Sequence, residues 1–192
     1  MSNGRELPGD SVASSRLWLR RYRPILAYGF MLLAAVILVL NYFIKFPTFP
    51  DDAVARFREY RDKNLPLQIE TSEATTLERY FAAEGVPGSG RTLDPATCTL
   101  KGGRVQRVLN RKGRWYAYHG PGNARFVLQG YPGTIGELPG ADEIRWDQGR
   151  PFHIFTRDGT TAVFWQENVC WVVISDAAPE EVIRLALSSA KA

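Results

Sequence analysis

The stretch TAVFWQENVCWVVISD, residues 161–176, decides the fold. Residues 161–166 and 169–175 are rich in β-branched and aromatic side chains and are parted only by Glu167 and Asn168, so they read as two strands joined by a tight turn. So short a connection admits only antiparallel pairing, because a parallel crossover needs a dozen residues or more. Toward the N-terminus the same grammar repeats. Strand-like runs near residues 98–101, 104–110, 114–119, 125–130, 143–146 and 152–157 alternate with turn signals at Gly102-Gly103, 110–113, 120–123, Pro139-Gly140, 147–149 and Asp158-Gly159. Toward the C-terminus, Asp176, Pro179, Glu180 and Glu181 carry a helix start, and Val182, Ile183, Leu185, Ala186 and Ser189 supply its apolar face.

Further upstream, the alternation of Leu67 and Ile69 with Gln68 and Glu70 predicts a short strand within 65–71. Ser72 then serves as N-cap for a helix whose Leu77, Tyr80 and Phe81 share a face and which Gly85 stops. Before it, residues 51–64 predict an amphipathic helix with Asp51 and Asp52 at its N-terminus and Val54, Phe57 and Tyr60 along one stripe. That stripe can pack on the domain or on a second copy of itself as a homodimer. Phe46-Pro-Thr-Phe-Pro50 reads as a stiff spacer.

Residues 25–44 (ILAYGFMLLAAVILVLNYFI) contain no charged side chain. A helix of that length spans roughly 30 Å, which predicts a single transmembrane helix over 25–45, an uncleaved signal anchor in the lipid bilayer. Residues 1–24 form a short basic segment of net charge +3, with Arg16, Arg20, Arg21 and Arg23 next to the apolar run. The positive-inside rule therefore predicts a cytoplasmic N-terminus and an extracytoplasmic domain over 65–192. The expected class is α+β: one N-terminal transmembrane helix, then a curved antiparallel sheet with two or three helices.

The whole chain carries +4, with 45% hydrophobic and 23% charged residues in 192 positions. This excludes a disordered, collagen-like or cysteine-stapled chain and a large multidomain enzyme. Beyond Ile44 there are 19 basic and 18 acidic side chains, so direct nucleic-acid binding loses its electrostatic support. The two histidines, His119 and His153, stand outside any HExxH or Cys/His ligand spacing. The glycine clusters lack the Lys-Ser/Thr of a phosphate loop, and no serine sits in a GxSxG elbow. The expectation is a protein without metal, cofactor or catalytic residues.

Cys98 and Cys170 are the only cysteines. A disulfide between them would tie the first strand of the sheet to the last and constrain the unfolded chain by roughly 4 kcal/mol; the alternative is two small buried strand residues. Trp115, Tyr131, Trp146 and Trp165 are candidate partner contacts, since aromatic side chains dominate interface hot spots, and core packing is the alternative for each.

The order TTLERYFA (75–82), LKGGRV (100–105), WYAY (115–118), the 161–176 stretch and PEEVIRLA (179–186) resembles the extracytoplasmic half of bacterial membrane-bound anti-sigma factors and related transmembrane transcriptional regulators. Residues 1–24 contain neither His nor Cys, so the zinc-binding cytoplasmic module of that family is missing. The resemblance implies a bacterial inner membrane protein with a periplasmic, sensor-like domain that binds a ligand or an unidentified protein partner. A membrane-anchored accessory or assembly subunit of an envelope complex is the second expectation.

Overall fold

The computed structural model describes residues 28–36, 48–62, 64–86, 88, 90–108 and 111–189. The chain divides into two units, Met1–Phe46 and Pro47–Ala192.

In the first unit residues 28–36 are helical, and Tyr28, Phe30, Met31 and Leu32 on that helix are exposed. This corrects the expected class. Among the described residues no helix is long and apolar enough to cross a membrane. The rest of the stretch expected to span, together with Arg16, Arg20, Arg21 and Arg23, lies outside the described residues.

The second unit opens with helix α1 (Phe49–Arg61). It begins two residues before Asp51 because Pro50 sits in the first turn, where a missing N–H costs nothing. The backbone N–H and hydroxyl of Thr48 both donate to the Asp51 carboxylate, at 3.2 and 2.6 Å, and hold it below its ordinary pKa. After β1 (Ile69–Glu70) comes α2 (Ala74–Ala83), capped at Glu73 rather than Ser72. Seven strands follow: β2 (Thr99–Val108), β3 (Arg111–His119), β4 (Arg125–Tyr131), β5 (Glu143–Asp147), β6 (Arg150–Arg157), β7 (Thr160–Gln166) and β8 (Cys170–Ser175). Helix α3 (Pro179–Ser189) closes the domain.

The strands make one antiparallel sheet in the order β1-β2-β3-β4-β8-β7-β6-β5. It is two four-stranded meanders fused where β4 pairs with β8. Gly102-Gly103, expected as a turn between two strands, is instead a bulge inside the single strand β2. A Cβ on Gly102 would lie 2.2 Å from the carbonyl oxygen of Ile69, and one on Gly103 would lie 2.7 Å from that of Trp115. The glycines therefore let three backbones approach closely, and the chain does not reverse there.

Both faces of the sheet are covered. Leu77 and Phe81 of α2 and Val182, Ile183 and Ala186 of α3 pack on Tyr116, Leu128, Trp165, Trp171 and Val173. Phe49, Ala53, Val54 and Phe57 of α1 pack on Trp115, Val127, Phe164, Val172 and Ile174. Coverage on both sides explains why WYAY, AVFW and CWVVIS are continuous apolar runs rather than alternating ones. It also settles the stripe of α1, which is spent on its own sheet and joins the domain to which Pro47 onward belongs.

Candidate functional site

The sheet ends in two edge strands, and they are managed differently. β1 is two residues long, a blunt edge with little to offer a partner. β5 is five residues long, and among the described residues no strand pairs with its outer edge.

The turn Gln148-Gly149 sets the register of β5 against β6. Both residues have positive φ, 50° and 76°, the geometry of a two-residue type I′ hairpin, and Asp147 and Arg150 flank it. Counting back, Asp147, Arg145 and Glu143 aim their backbone N–H and C=O groups at β6. Trp146 lies opposite Pro151, which has no N–H to give, in agreement with that phase. The backbone groups that point outward therefore belong to Ile144 and Trp146.

The side chains follow the same two-residue period. Glu143 and Arg145 lie opposite Ile154 and Phe152, on the α2/α3 face. Both guanidinium Nη atoms of Arg145 bond the Glu180 carboxylate of α3 at 2.8 Å, and its Nε bonds Glu143 at 2.6 Å. The Glu180 pairing raises the pKa of Arg145, and Arg145 in turn depresses that of Glu180. Ile144 and Trp146 stand on the opposite face, beside His153 and Pro151, where they remain 49% and 70% exposed. The charged side is only partly screened: Arg145, held by Glu180, is about one-third exposed, whereas Glu143 is 51% exposed and so as open as Ile144. Both faces of β5 meet water, and on one of them the side chains are apolar.

A second concavity lies at the start of α2. Ser72, Ala74, Thr92, Leu93, Cys98 and Tyr118 line a cleft of about 340 Å³. An adjoining hollow of about 400 Å³, bounded by Thr75, Glu78, Arg79 and Gly90, shares Ala74 and Thr92 with it. The Tyr118 hydroxyl accepts the Leu93 N–H at 3.3 Å, and burial raises its pKa. Burial also pushes the Cys98 thiol up to about 11, so the sulfur is a neutral wall of the cleft at physiological pH. Glu78 is already engaged by Arg114 and by the Tyr116 hydroxyl at 2.6 Å. What the cleft offers is a neutral, mainly apolar hollow.

The residues singled out from sequence are scattered. Trp115, Tyr131 and Trp165 are buried, the first two against α1 and the third under α2 and α3; only Trp146 reaches the surface. Cys98 and Cys170 are free thiols on opposite faces of the sheet, with three strand spacings, about 14 Å, between β2 and β8. A disulfide needs Cα atoms within about 7 Å, so the bridge joining them is corrected to two buried thiols. Burial pushes the Cys170 thiol up to about 12. The expected result of alkylating the unfolded, non-reduced protein is a mass gain of two labels per chain; no gain without reductant would contradict the placement of both strands.

His119 and His153 each have a pKa lowered, chiefly by desolvation, and among the described residues no group of three His, Cys, Asp or Glu side chains could hold a metal ion. Ile144 escaped the sequence reading, although the alternation Glu143-Ile-Arg-Trp-Asp followed by Gln-Gly was its signal. Fold and site together describe an antiparallel sheet helix-covered on both faces, with one bare apolar edge. Comparison of the chain with protein-family models, with curated proteins and with solved structures finds no match in any of the three.

Proposed function

We propose that the chain is a regulatory protein whose folded domain works by binding another polypeptide, with β5 as the binding edge. One observation supports this above the rest: Ile144 and Trp146 carry both the outward backbone groups, which no strand among the described residues pairs, and the exposed apolar side chains of the five-residue edge strand. An extended strand added there would gain main-chain hydrogen bonds from the same two residues whose side chains it covers, which is the logic of strand addition. Evolution usually blunts such an edge with charge or shortness, as at β1, so a bare one is a feature to be explained.

The regulatory role is the reading we attach to that capture, with an accessory subunit of a larger complex as its rival. Tagged full-length protein, solubilised gently and purified with its partners, separates them. Recovery of a sigma factor or an anti-sigma protein supports regulation, and recovery of a transport or respiratory complex supports the accessory role. In either case Trp146→Ala is expected to strip the partner at least tenfold while leaving the far-UV spectrum unchanged, because a buried hot-spot Trp contributes about 2 kcal/mol or more to an interface. Retention of the partner by Trp146→Ala together with Ile144→Asp would show that β5 is not the binding edge.

A further inference from the structure

We infer that the cleft at the start of α2 is a binding site for a small uncharged carbonyl compound, a ketone, ester or amide with an apolar body. The inference is independent of the β5 edge, which lies at the far end of the sheet from the strands that wall the cleft, β2 and β3.

At about 340 Å³ the cleft falls within the roughly 300–1,000 Å³ of small-molecule sites, and the adjoining hollow extends it past Ala74 and Thr92. Leu93, Cys98 and Leu100, all buried, give it apolar walls. None of the residues that line it is charged. Its occupant must therefore bring apolar surface of its own.

The polar groups fixed at the cleft are donors. Tyr118, only 2% exposed, enters from β3 with its hydroxyl oxygen on the Leu93 N–H, and among the described residues no acceptor takes its proton. Helix α2 opens on the same cleft at Ala74. The N–H groups of Ala74, Thr75 and Thr76 precede the first hydrogen bond of the helix, from Leu77 to the Glu73 carbonyl, and the Glu73 side chain does not cap them. No acid stands in that first turn. A strand and a helix thus present donors to one hollow, and a donor held deep in an apolar wall rewards an acceptor more than one in open water does.

Charge decides which acceptor fits. A helix N-terminus favours an anion, but two acids stand close by: the Cys98 thiol is raised by burial first and then by Glu181 and Asp94. Glu78 faces the adjoining hollow beside Arg79, so neither sign prevails there. A carboxylate would lose its water and meet these acids, and an ammonium would set donors against donors. An uncharged carbonyl does neither.

The test uses the full-length chain in mild non-ionic detergent, which shields the exposed apolar helix at 28–36. Three probes share one phenylethyl body: benzylacetone, hydrocinnamate and phenethylammonium. In amide spectra, benzylacetone at millimolar concentration is expected to move the Ala74, Leu93 and Cys98 resonances saturably, and the two charged probes to bind about tenfold more weakly or worse. Tyr118→Phe, which removes the donor, is expected to weaken the ketone about fivefold. Thr92→Trp, at an exposed position shared by both hollows, is expected to fill them and weaken it about tenfold or more. Trp146→Ala should bind it as the parent does. Partition into detergent is common to all variants and singles out no resonance.

Resonances of Ala74, Leu93 and Cys98 that stay in place would overturn the inference, as would a charged probe that binds as tightly as the ketone. So would a folded Tyr118→Phe or a Thr92→Trp that binds the ketone like the parent. If Tyr118→Phe loses its dispersed spectrum, Thr92→Trp decides in its place. If the ketone fails to bind while Trp146→Ala still strips a protein partner, the β5 reading stands and only the cleft reading falls.

Discussion

Trp165→Ala is expected to cost the folded domain about 3–5 kcal/mol, a large share of the roughly 5–15 kcal/mol that holds a domain of this size. Trp165 is fully buried near the C-terminal end of β7. Its indole is stacked on Trp171 at 6.5 Å with an interplanar angle of 22° and tilted against Phe152 at 6.0 Å. Truncation opens a cavity under two helices that are already fixed to the sheet by other side chains, so the site has little freedom to collapse. The indole Nε1 also donates to Glu167 at 3.2 Å, and Glu167 is the acid that both Arg91 and Arg150 engage. Losing the indole thus removes one of the donors that orient the acid joining the loop at Arg91 to β6. Trp165→Phe, which keeps most of the area but not the donor, should cost about 1–2 kcal/mol. Urea unfolding followed by far-UV circular dichroism measures both, with Trp146→Ala as the internal control expected within about 0.5 kcal/mol of the parent. A Trp165→Ala loss under about 1 kcal/mol would mean the side chain is not packed as described.

These two tryptophans also show where the sequence was legible and where it was not. The strands could be read because their runs are dense in β-branched and aromatic residues and their breaks carry Gly, Asn and Asp; the hairpin at 161–175 appears in the structure within one residue at each end. Which tryptophan is core and which is surface could not be read, because with both faces covered the central strands lose the alternation that marks an inside. On β5 the alternation is present but marks no inside, because both its faces reach solvent and Glu180 of α3, 35 positions away in sequence, only pairs with Arg145. Arg114 hid for a related reason. A strand starting at 114 puts its arginine at the rim, whereas the observed strand starts at Arg111 and carries Arg114 inward. Gly102-Gly103 looked like a turn because glycine serves both turns and close backbone approach, and the neighbour that decides between them, Ile69, lies more than thirty residues upstream. Hydropathy alone gave the spanning helix over 25–45; of that stretch the structure describes residues 28–36, and among the described residues no helix is long and apolar enough to cross a membrane.

The second large effect belongs to that buried arginine. Arg114→Ala is expected to destabilise the domain by about 3 kcal/mol, the low end of what removing one partner of a buried ion pair costs. Arg114 is 5% exposed, pairs with Glu78 of α2, donates to the carbonyls of Val86 and Gly88, and sits 5.6 Å from the centre of the Phe81 ring. It therefore pins helix α2 and the loop after it to β3 with one side chain. Alanine leaves two carbonyls and a carboxylate facing a void, and the low end applies because the Glu78 side chain remains about one-third exposed, so water reaches it. Glu78→Gln should cost less, about 1–2 kcal/mol, since its one amide oxygen still accepts from Arg114 and the NH2 that replaces the other oxygen can donate to the Tyr116 hydroxyl oxygen. A double-mutant cycle with Arg114→Met and Glu78→Leu decides whether the pair or its volume matters. Coupling is the expected outcome, with the double variant recovering the share of the loss that comes from the uncompensated charge, because an apolar pair of similar size removes both desolvated charges at once, while the Val86 and Gly88 carbonyls and the Tyr116 hydroxyl still lack their partners. Additive losses within about 0.5 kcal/mol would instead mean that the two side chains act independently and that the loop at 84–90 is held by its own packing. Amide exchange separates the same alternatives locally. If Arg114 is the pin, protection in Arg114→Met should fall first at Val86 and Gly88 and only later in β3, since the strand keeps its ladder when its arginine is gone.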